Sequence, residues 1–218
     1  MNSRTVERLN LKNHSTVRLF DLSTTTTGKQ IMTTEHSIII AGFGGQGILL
    51  AGEVLATALM NDGKNVTWYP SYGAEMRGGT VNCAIVTSDE EVSSVNKKNI
   101  DFLIALNQLS YDKFLPKITK GGWVIANSSL AKEIKPRLDI NYIFAPITDL
   151  ANKFGEVRIA NIISLGLLAK VSKLTSIESL HSALEHILPE HRKNLLPLNL
   201  KALEAGFNYA LAPATVNC

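Results

Sequence analysis

An apolar run, Ile38-Ile39-Ile40-Ala41, breaks directly into Gly42-Phe43-Gly44-Gly45-Gln46-Gly47 and then into a long apolar helical pattern. This junction constrains the fold more than any other stretch. A run that is apolar at every position predicts a strand covered on both faces, here Ile38–Ala41. The pattern after it predicts a helix from Gln46 to about Asn61. Glu53, Thr57 and Asn61 fall four apart on one face, while Ile48, Ala51, Leu55, Ala58 and Leu59 cover the rest.

The chain keeps alternating in this way. Asp62-Gly63 ends the first helix, and Val66–Tyr69 reads as a second strand. Thr80–Thr87 alternates Val81, Cys83 and Ile85 against Asn82, Ala84 and Val86, which predicts a third. Phe102–Leu106 predicts a fourth, followed by a helix near Gln108–Phe114. Gly121-Gly122 leads into a fifth, Trp123–Asn127, and Tyr142–Ala145 gives another before Pro146, which reads as a turn device. Helices follow from Ile147 to Gly155 and over Arg158–Ser172. A further helix, capped by Ser176, runs through Leu188, and a last one spans about Pro197 to Ala210. The expectation is an α/β domain, Rossmann-like and three-layered, with a mainly parallel sheet and a helical C-terminal third. One domain over 36–218 suits the length. Residues 1–35, polar and rich in Ser and Thr, are expected to form a disordered tail; Met32 also allows a later start codon.

Composition removes several function classes. The 218 residues are 45% apolar and 19% charged, enough for a sizeable core. The net charge of +3 is spread thinly, with no basic stripe interleaved with aromatics, so nucleic acid is not indicated. No apolar run approaches the roughly 20 residues of a membrane span. The two cysteines, Cys83 and Cys218, cannot build a disulfide framework, and an iron–sulfur cluster would need about four thiolates. Cys83 is expected in the core, and a reducing cytoplasm fits. His181, His186 and His191 are five apart and share no helical face, so they read as exposed helix residues and not as metal ligands. Ser128-Ser129 has no neighbouring His and Asp to activate it. Asn127 and Ser128 end a strand where open α/β sheets bind ligands. Asn161 faces the first loop or makes an ordinary core or surface hydrogen bond.

Gly42, Gly44 and Gly47 satisfy G-x-G-x-x-G between strand and helix. That is the chemistry of a phosphate cradle, in which bare backbone approaches the anion and a helix N-terminus points at it. A dinucleotide dehydrogenase also needs Asp or Glu at the end of the second strand to bind the ribose. That strand ends Trp68-Tyr69-Pro70-Ser71, and Asp62 lies before it, so a stand-alone dehydrogenase is disfavoured. The glycines also serve a tight turn and close helix–strand packing without any ligand. A second segment, Ser71-Tyr72-Gly73-Ala74-Glu75-Met76-Arg77-Gly78-Gly79-Thr80, sets one guanidinium among glycines and aromatics. It suits an anionic group or a docking chain, or holds an exposed Glu75–Arg77 pair.

Together the two segments closely resemble the gamma subunit of 2-oxoacid:ferredoxin (acceptor) oxidoreductases. The resemblance continues through Ala84-Ile85-Val86-Thr87-Ser88-Asp89-Glu90-Glu91 and the run from Leu196 to Gly206, and covers about residues 35–210. It implies a multi-subunit enzyme that oxidatively decarboxylates a 2-oxoacid with coenzyme A, giving acyl-CoA, carbon dioxide and electrons for ferredoxin. The run Trp68 to Glu75 is most like the 2-oxoglutarate enzymes; pyruvate, branched-chain and indolepyruvate relatives stay open, as does a purely structural module. It also implies thiamine diphosphate and iron–sulfur clusters in partner alpha, beta and delta (ferredoxin-like) subunits, none held by this chain alone, and an isolated chain that is inactive. The expected contacts to coenzyme A or neighbouring subunits are Gly42, Gly44, Gly45, Gln46, Gly47 and Arg77, with no acid–base or nucleophilic residue.

Overall fold

The computed structural model describes residues 35–72, 80–92, 97–135 and 137–210. Arg77, Glu75, Cys218 and all of the expected N-terminal tail but Glu35 therefore lie outside the described residues. The elements run β1 His36–Phe43, α1 Ile48–Asn61, β2 Asn65–Tyr72, β3 Thr80–Ser88, β4 Ile100–Ala105 and α2 Gln108–Phe114. Then follow β5 Ile118–Asn127, β6 Asn141–Ala145, α3 Ile147–Lys153, α4 Ala160–Ser172, α5 Ile177–Ile187 and α6 Leu196–Phe207. Short 3-10 turns cover Leu115–Lys117, Val157–Ile159 and Glu190–Leu195.

The six strands form one sheet in the order β2-β3-β1-β4-β5-β6. β1 is parallel to β4, β4 to β5 and β5 to β6, whereas β3 is antiparallel to both β1 and β2. Only β3 runs against the rest, so the sheet is mainly parallel, as the near-continuous apolar runs predict. The side chains of Ile38, Ile40, Cys83, Ile85, Phe102 and Ile104 face a core shared with α1, α3, α4, α5 and α6. Those of Ala41, Leu103, Ala105, Val124 and Ala126 face a smaller core under α2 and its 3-10 extension. The helical C-terminal third thus thickens one face, while the opposite layer is thin.

Several boundaries differ from the sequence expectation, each for a local reason. β2 continues to Tyr72 because its ladder with β3 holds past Pro70, with Ser71 opposite Asn82 and Tyr72 opposite Val81. Proline is tolerated there because β2 is an edge strand. β5 starts at Ile118: the Gly121-Gly122 pair, with Gly121 at φ +80°, sits beside a register shift against β4 and bends the strand without ending it. Ser176 does cap α5, accepting from the Ser179 N–H. Asp62, at the end of α1, accepts from Thr175 Oγ1 at 2.6 Å and from the Ser179 hydroxyl, which ties α1 to the start of α5.

α4 is buried almost all round, from Ala160 to Ala169. It can approach α6 closely because glycines meet at the crossing. A Cβ on Gly166 would lie 2.1 Å from the Leu203 carbonyl oxygen, and one on Gly206 2.0 Å from that of Ile163. α1 lies equally close to the sheet at Gly52, where a Cβ would meet Cys83 Sγ at 2.5 Å and Trp68 Nε1 at 2.7 Å.

Candidate functional site

The register of three strands brings the strand ends that flank both glycine-rich segments to one end of the sheet. Phe43, the last residue of β1, lies opposite Thr80, the first of β3, and Tyr72, the last of β2, lies opposite Val81. The turn after β1 and the connection from β2 to β3 therefore leave the sheet side by side. This is the carboxyl end of the parallel strands, where open α/β sheets bind ligands.

The first turn is built by its own backbone and by Gln46. The Phe43 N–H donates to Gln46 Oε1 at 2.6 Å, and the Gln46 N–H donates to the Phe43 carbonyl at 3.2 Å. Gln46 thus closes the turn and does not begin the helix, so α1 starts at Ile48 and not at the expected Gln46. Gly42 makes room for this: a Cβ there would lie 2.5 Å from Gln46 Oε1 and 2.7 Å from Ile48 Cδ1. Gly44 and Gly45 are exposed at the tip. Gly47 takes a left-handed conformation (φ +70°, ψ 28°) as the N-cap of α1, with no side chain capping the helix and no acid in its first turn. A helix start without a carboxylate keeps the positive end of its dipole and its first N–H groups for an external anion.

Asn161, on α4, reaches this turn. Its Nδ2 donates to the Gly47 carbonyl at 2.8 Å, which makes it both a core hydrogen bond and a partner of the first loop. A cleft opens beside the contact, between Leu50 in the first turn of α1, Ile159 at the start of α4, and Leu195 and Leu198 around α6. Arg158 and Arg192 line it too, and both are exposed. Neither the cleft nor its arginines was legible in the sequence, because three segments far apart in the chain build it.

Arg158 chelates Glu156, with Nε to Oε1 at 2.9 Å and Nη2 to Oε2 at 2.6 Å. These hydrogen bonds and the Arg158 backbone N–H hold the Glu156 carboxyl down at about 2. A carboxyl lowered on folding stabilises the folded state above its ordinary range, and that contribution is lost as pH falls toward about 2. Replacing Arg158 by alanine is expected to raise the Glu156 titration part of the way back, since the backbone N–H at 158 still donates to the carboxylate, and carboxyl-detected NMR would measure the rise. A Glu156 that still titrates near 2 would refute the pairing.

The other expected residues fall outside this edge's chemistry. Asn127 is fully buried and committed on both sides: Nδ2 donates to the Leu106 carbonyl and Thr148 Oγ1, while Oδ1 accepts from the Ser129 and Thr148 N–H groups. It knits three loops together and turns no free group outward. Ser129 Oγ accepts from the Asp149 N–H. His186 and His191 are exposed; His181 is instead half-buried, with Nε2 4.0 Å from Glu204 Oε1, and His191 sits on a 3-10 turn. Among the described residues no group of His, Cys, Asp and Glu could hold a metal ion.

The strand order bears on the dinucleotide reading. β3 lies between β1 and β2, so the end of β2 is two strands away from the glycine turn, and none of the described residues of β2, Asn65–Tyr72, is a carboxylate. Among the described residues the strand order and the end of β2 depart from the ribose-binding geometry that the motif requires.

A family model described as pyruvate ferredoxin/flavodoxin oxidoreductase matches residues 37–209. The chain is 37% identical over 178 residues to ketoisovalerate oxidoreductase subunit VorA of Methanothermobacter thermautotrophicus, a match that covers 81% of this chain and 36% of that protein. It thus spans little more than a third of that relative's length. With 2-oxoglutarate synthase subunit KorC of Methanocaldococcus jannaschii it shares 35% over 187 residues, 84% of this chain and 97% of the relative. The gamma subunit of a keto/oxoacid ferredoxin oxidoreductase from Geobacter sulfurreducens has the same fold, with a TM-score of 0.71 at 31% identity over 80% of this chain and 95% of that one. A chain of the 2-oxoglutarate:ferredoxin oxidoreductase from Magnetococcus marinus, solved with 2-oxoglutarate, coenzyme A and succinyl-CoA, shares the fold at a TM-score of 0.73 and 22% identity. That match covers 83% of this chain and 32% of that one.

Proposed function

The chain belongs to the pyruvate ferredoxin/flavodoxin oxidoreductase family, and from that premise we propose that it is the gamma subunit of a 2-oxoacid:ferredoxin oxidoreductase. The reaction is oxidative decarboxylation of a 2-oxoacid with coenzyme A to acyl-CoA and carbon dioxide, with electrons passed to ferredoxin. The observation that carries this reading is that the strand ends flanking both glycine-rich segments lie side by side at one end of the sheet, with helix α1 pointing its uncapped N-terminus there.

In this reading Gly42 and Gln46 shape the turn, Gly44, Gly45 and Gly47 expose backbone to coenzyme A phosphates or a neighbouring subunit, and Arg77 supplies the positive charge. The substrate is 2-oxoglutarate, supported by the match along nearly the whole 2-oxoglutarate synthase subunit. The ketoisovalerate relative keeps a branched-chain 2-oxoacid as the alternative. Thiamine diphosphate and the iron–sulfur clusters belong to alpha, beta and delta partners in the cytoplasm. Cys83 is unsuited to ligate a cluster, being fully buried with its thiol pushed up to about 12. When bound in a partner, thiamine diphosphate supplies the carbanion chemistry of decarboxylation. This chain's part is to place coenzyme A.

The test is reconstitution with the partner subunits and an assay of 2-oxoglutarate- and coenzyme A-dependent acceptor reduction. Arg77→Ala is expected to weaken coenzyme A affinity about tenfold, the loss of one charge-assisted contact, with assembly intact. Turnover by the isolated chain would sink the reading, and unchanged affinity in the assembled Arg77→Ala enzyme would remove Arg77 from the coenzyme A contact.

A further inference from the structure

Asn161 is 1% exposed, yet half of its side chain serves a segment 114 residues away. Its two ends do different work. Oδ1 accepts from the Ile162 N–H at 2.9 Å, within the first turn of its own helix α4. Nδ2 donates to the Gly47 carbonyl at 2.8 Å, the same oxygen that accepts from the Ala51 N–H at 3.0 Å to start α1. An inverted amide would set oxygen against carbonyl and NH2 against N–H, so the pair of contacts fixes its orientation.

The contact is also steric. A Cβ on Gly47 would lie 2.5 Å from Asn161 Nδ2, at a backbone φ of +70° that side chains disfavour. The amide therefore fills the space beside Gly47 and restrains its carbonyl. α4, which carries the amide, is itself locked to α6 through Gly166 and Gly206. The loop is thus referenced to the rigid helical layer and not to the sheet alone.

Packing does not explain the choice of residue. An apolar side chain would fill the volume without burying an amide, which is costly unless hydrogen-bonded. Starting α4 requires only an acceptor, which Asp or Ser would provide. The NH2 end has one use, the loop. We propose that Asn161 is the positioning residue of the glycine-rich turn: by holding the Gly47 carbonyl it sets the direction in which residues 44–47 present their backbone to coenzyme A. The inference rests on the reading of that turn as a coenzyme A contact; Asn161 itself does not touch the ligand.

Asn161→Asp removes the donor while keeping the shape and the acceptor for Ile162, with a carboxyl oxygen in place of the NH2 group, and Asn161→Leu removes the donor without adding a charge. In the assembled enzyme without 2-oxoacid, calorimetry with coenzyme A is expected to show affinity about tenfold weaker for Asn161→Asp. KM for coenzyme A should rise alike, kcat should stay within about twofold, and the Ala51 amide should exchange faster with deuterium. Asn161→Ala should weaken affinity as much and also lower the melting temperature, since it loses both ends. A role confined to packing would move the melting temperature and leave the affinity of Asn161→Asp at the wild-type value, and that result overturns the proposal. Gln46→Ala and Arg77→Ala separate the two layers. If either weakens coenzyme A binding while Asn161→Asp does not, only the positioning role fails. If none of the three changes it, the coenzyme A reading of the edge fails as well.

Discussion

Gly206→Ala is expected to destabilise the chain by about 3 kcal/mol, a fall in melting temperature of about 10 °C for a domain of this size. Two effects compete. Alanine is the better helix former, and in an exposed helix interior the change would gain about 1 kcal/mol. Here the new methyl carbon would sit 2.0 Å from the Ile163 carbonyl oxygen and 3.2 Å from Gly166 Cα. Both obstacles are backbone, so α4 and α6 must separate, and contacts across the first core are lost along their length. The clash wins. Gly166→Ala should behave alike, against a Leu203 carbonyl 2.1 Å away. Because both changes widen one gap, the double variant should cost less than the sum of the singles. Thermal denaturation followed by circular dichroism measures this, with the exposed Lys201→Ala on α6 as the comparison. A Gly206→Ala chain that melts with the wild type would show that the helices are not in this contact.

The second large effect is chemical. Cys83 is fully buried, and burial pushes its thiol up to about 12, against smaller opposing contributions from Trp68 and the Ile40 backbone. Its sulfur lies 3.6 Å from the Ile48 carbonyl, under α1. At pH 8 an ordinary cysteine is roughly a quarter thiolate, whereas a thiol titrating near 12 is ionised at about one part in ten thousand. In a Cys218→Ser chain, a thiol reagent should therefore label the folded protein on the order of a thousandfold more slowly than the urea-unfolded protein. Labelling at the unfolded rate would contradict the burial. Gly52 ties this thiol to the fold, since any side chain there would strike Sγ at 2.5 Å.

What could be read from the sequence followed from local periodicity. The continuous run at Ile38, the four-residue spacing of Glu53, Thr57 and Asn61, and Ser176 ahead of α5 each report one element's own surroundings, and each element formed. The helical C-terminal third was visible in the same way. Less visible were features set by pairing. Nothing local in Ser71 and Tyr72 says that a strand continues past Pro70; the partner strand β3 decides it. Gly121-Gly122 looked like a boundary because glycine usually is one, yet β5 continues through it, with a register shift against β4. The candidate turn was legible as a motif, but its interior was not. That Gln46 would fold back onto Phe43 depends on the room beside Gly42, and that room depends on Leu106 and Ile48. The strand order β2-β3-β1, which separates the turn from the end of β2, has no signature in either segment.

That strand order also bears on when the edge comes into being. Phe43 meets Thr80 only once β3 has entered between β1 and β2, and such long-range pairing forms late because loop closure must precede it. A chain with α1 and the β2 and β3 pair already formed would still lack the juxtaposed segments. A partner that gripped both at once would therefore bind only a chain in which β3 has already paired with β1.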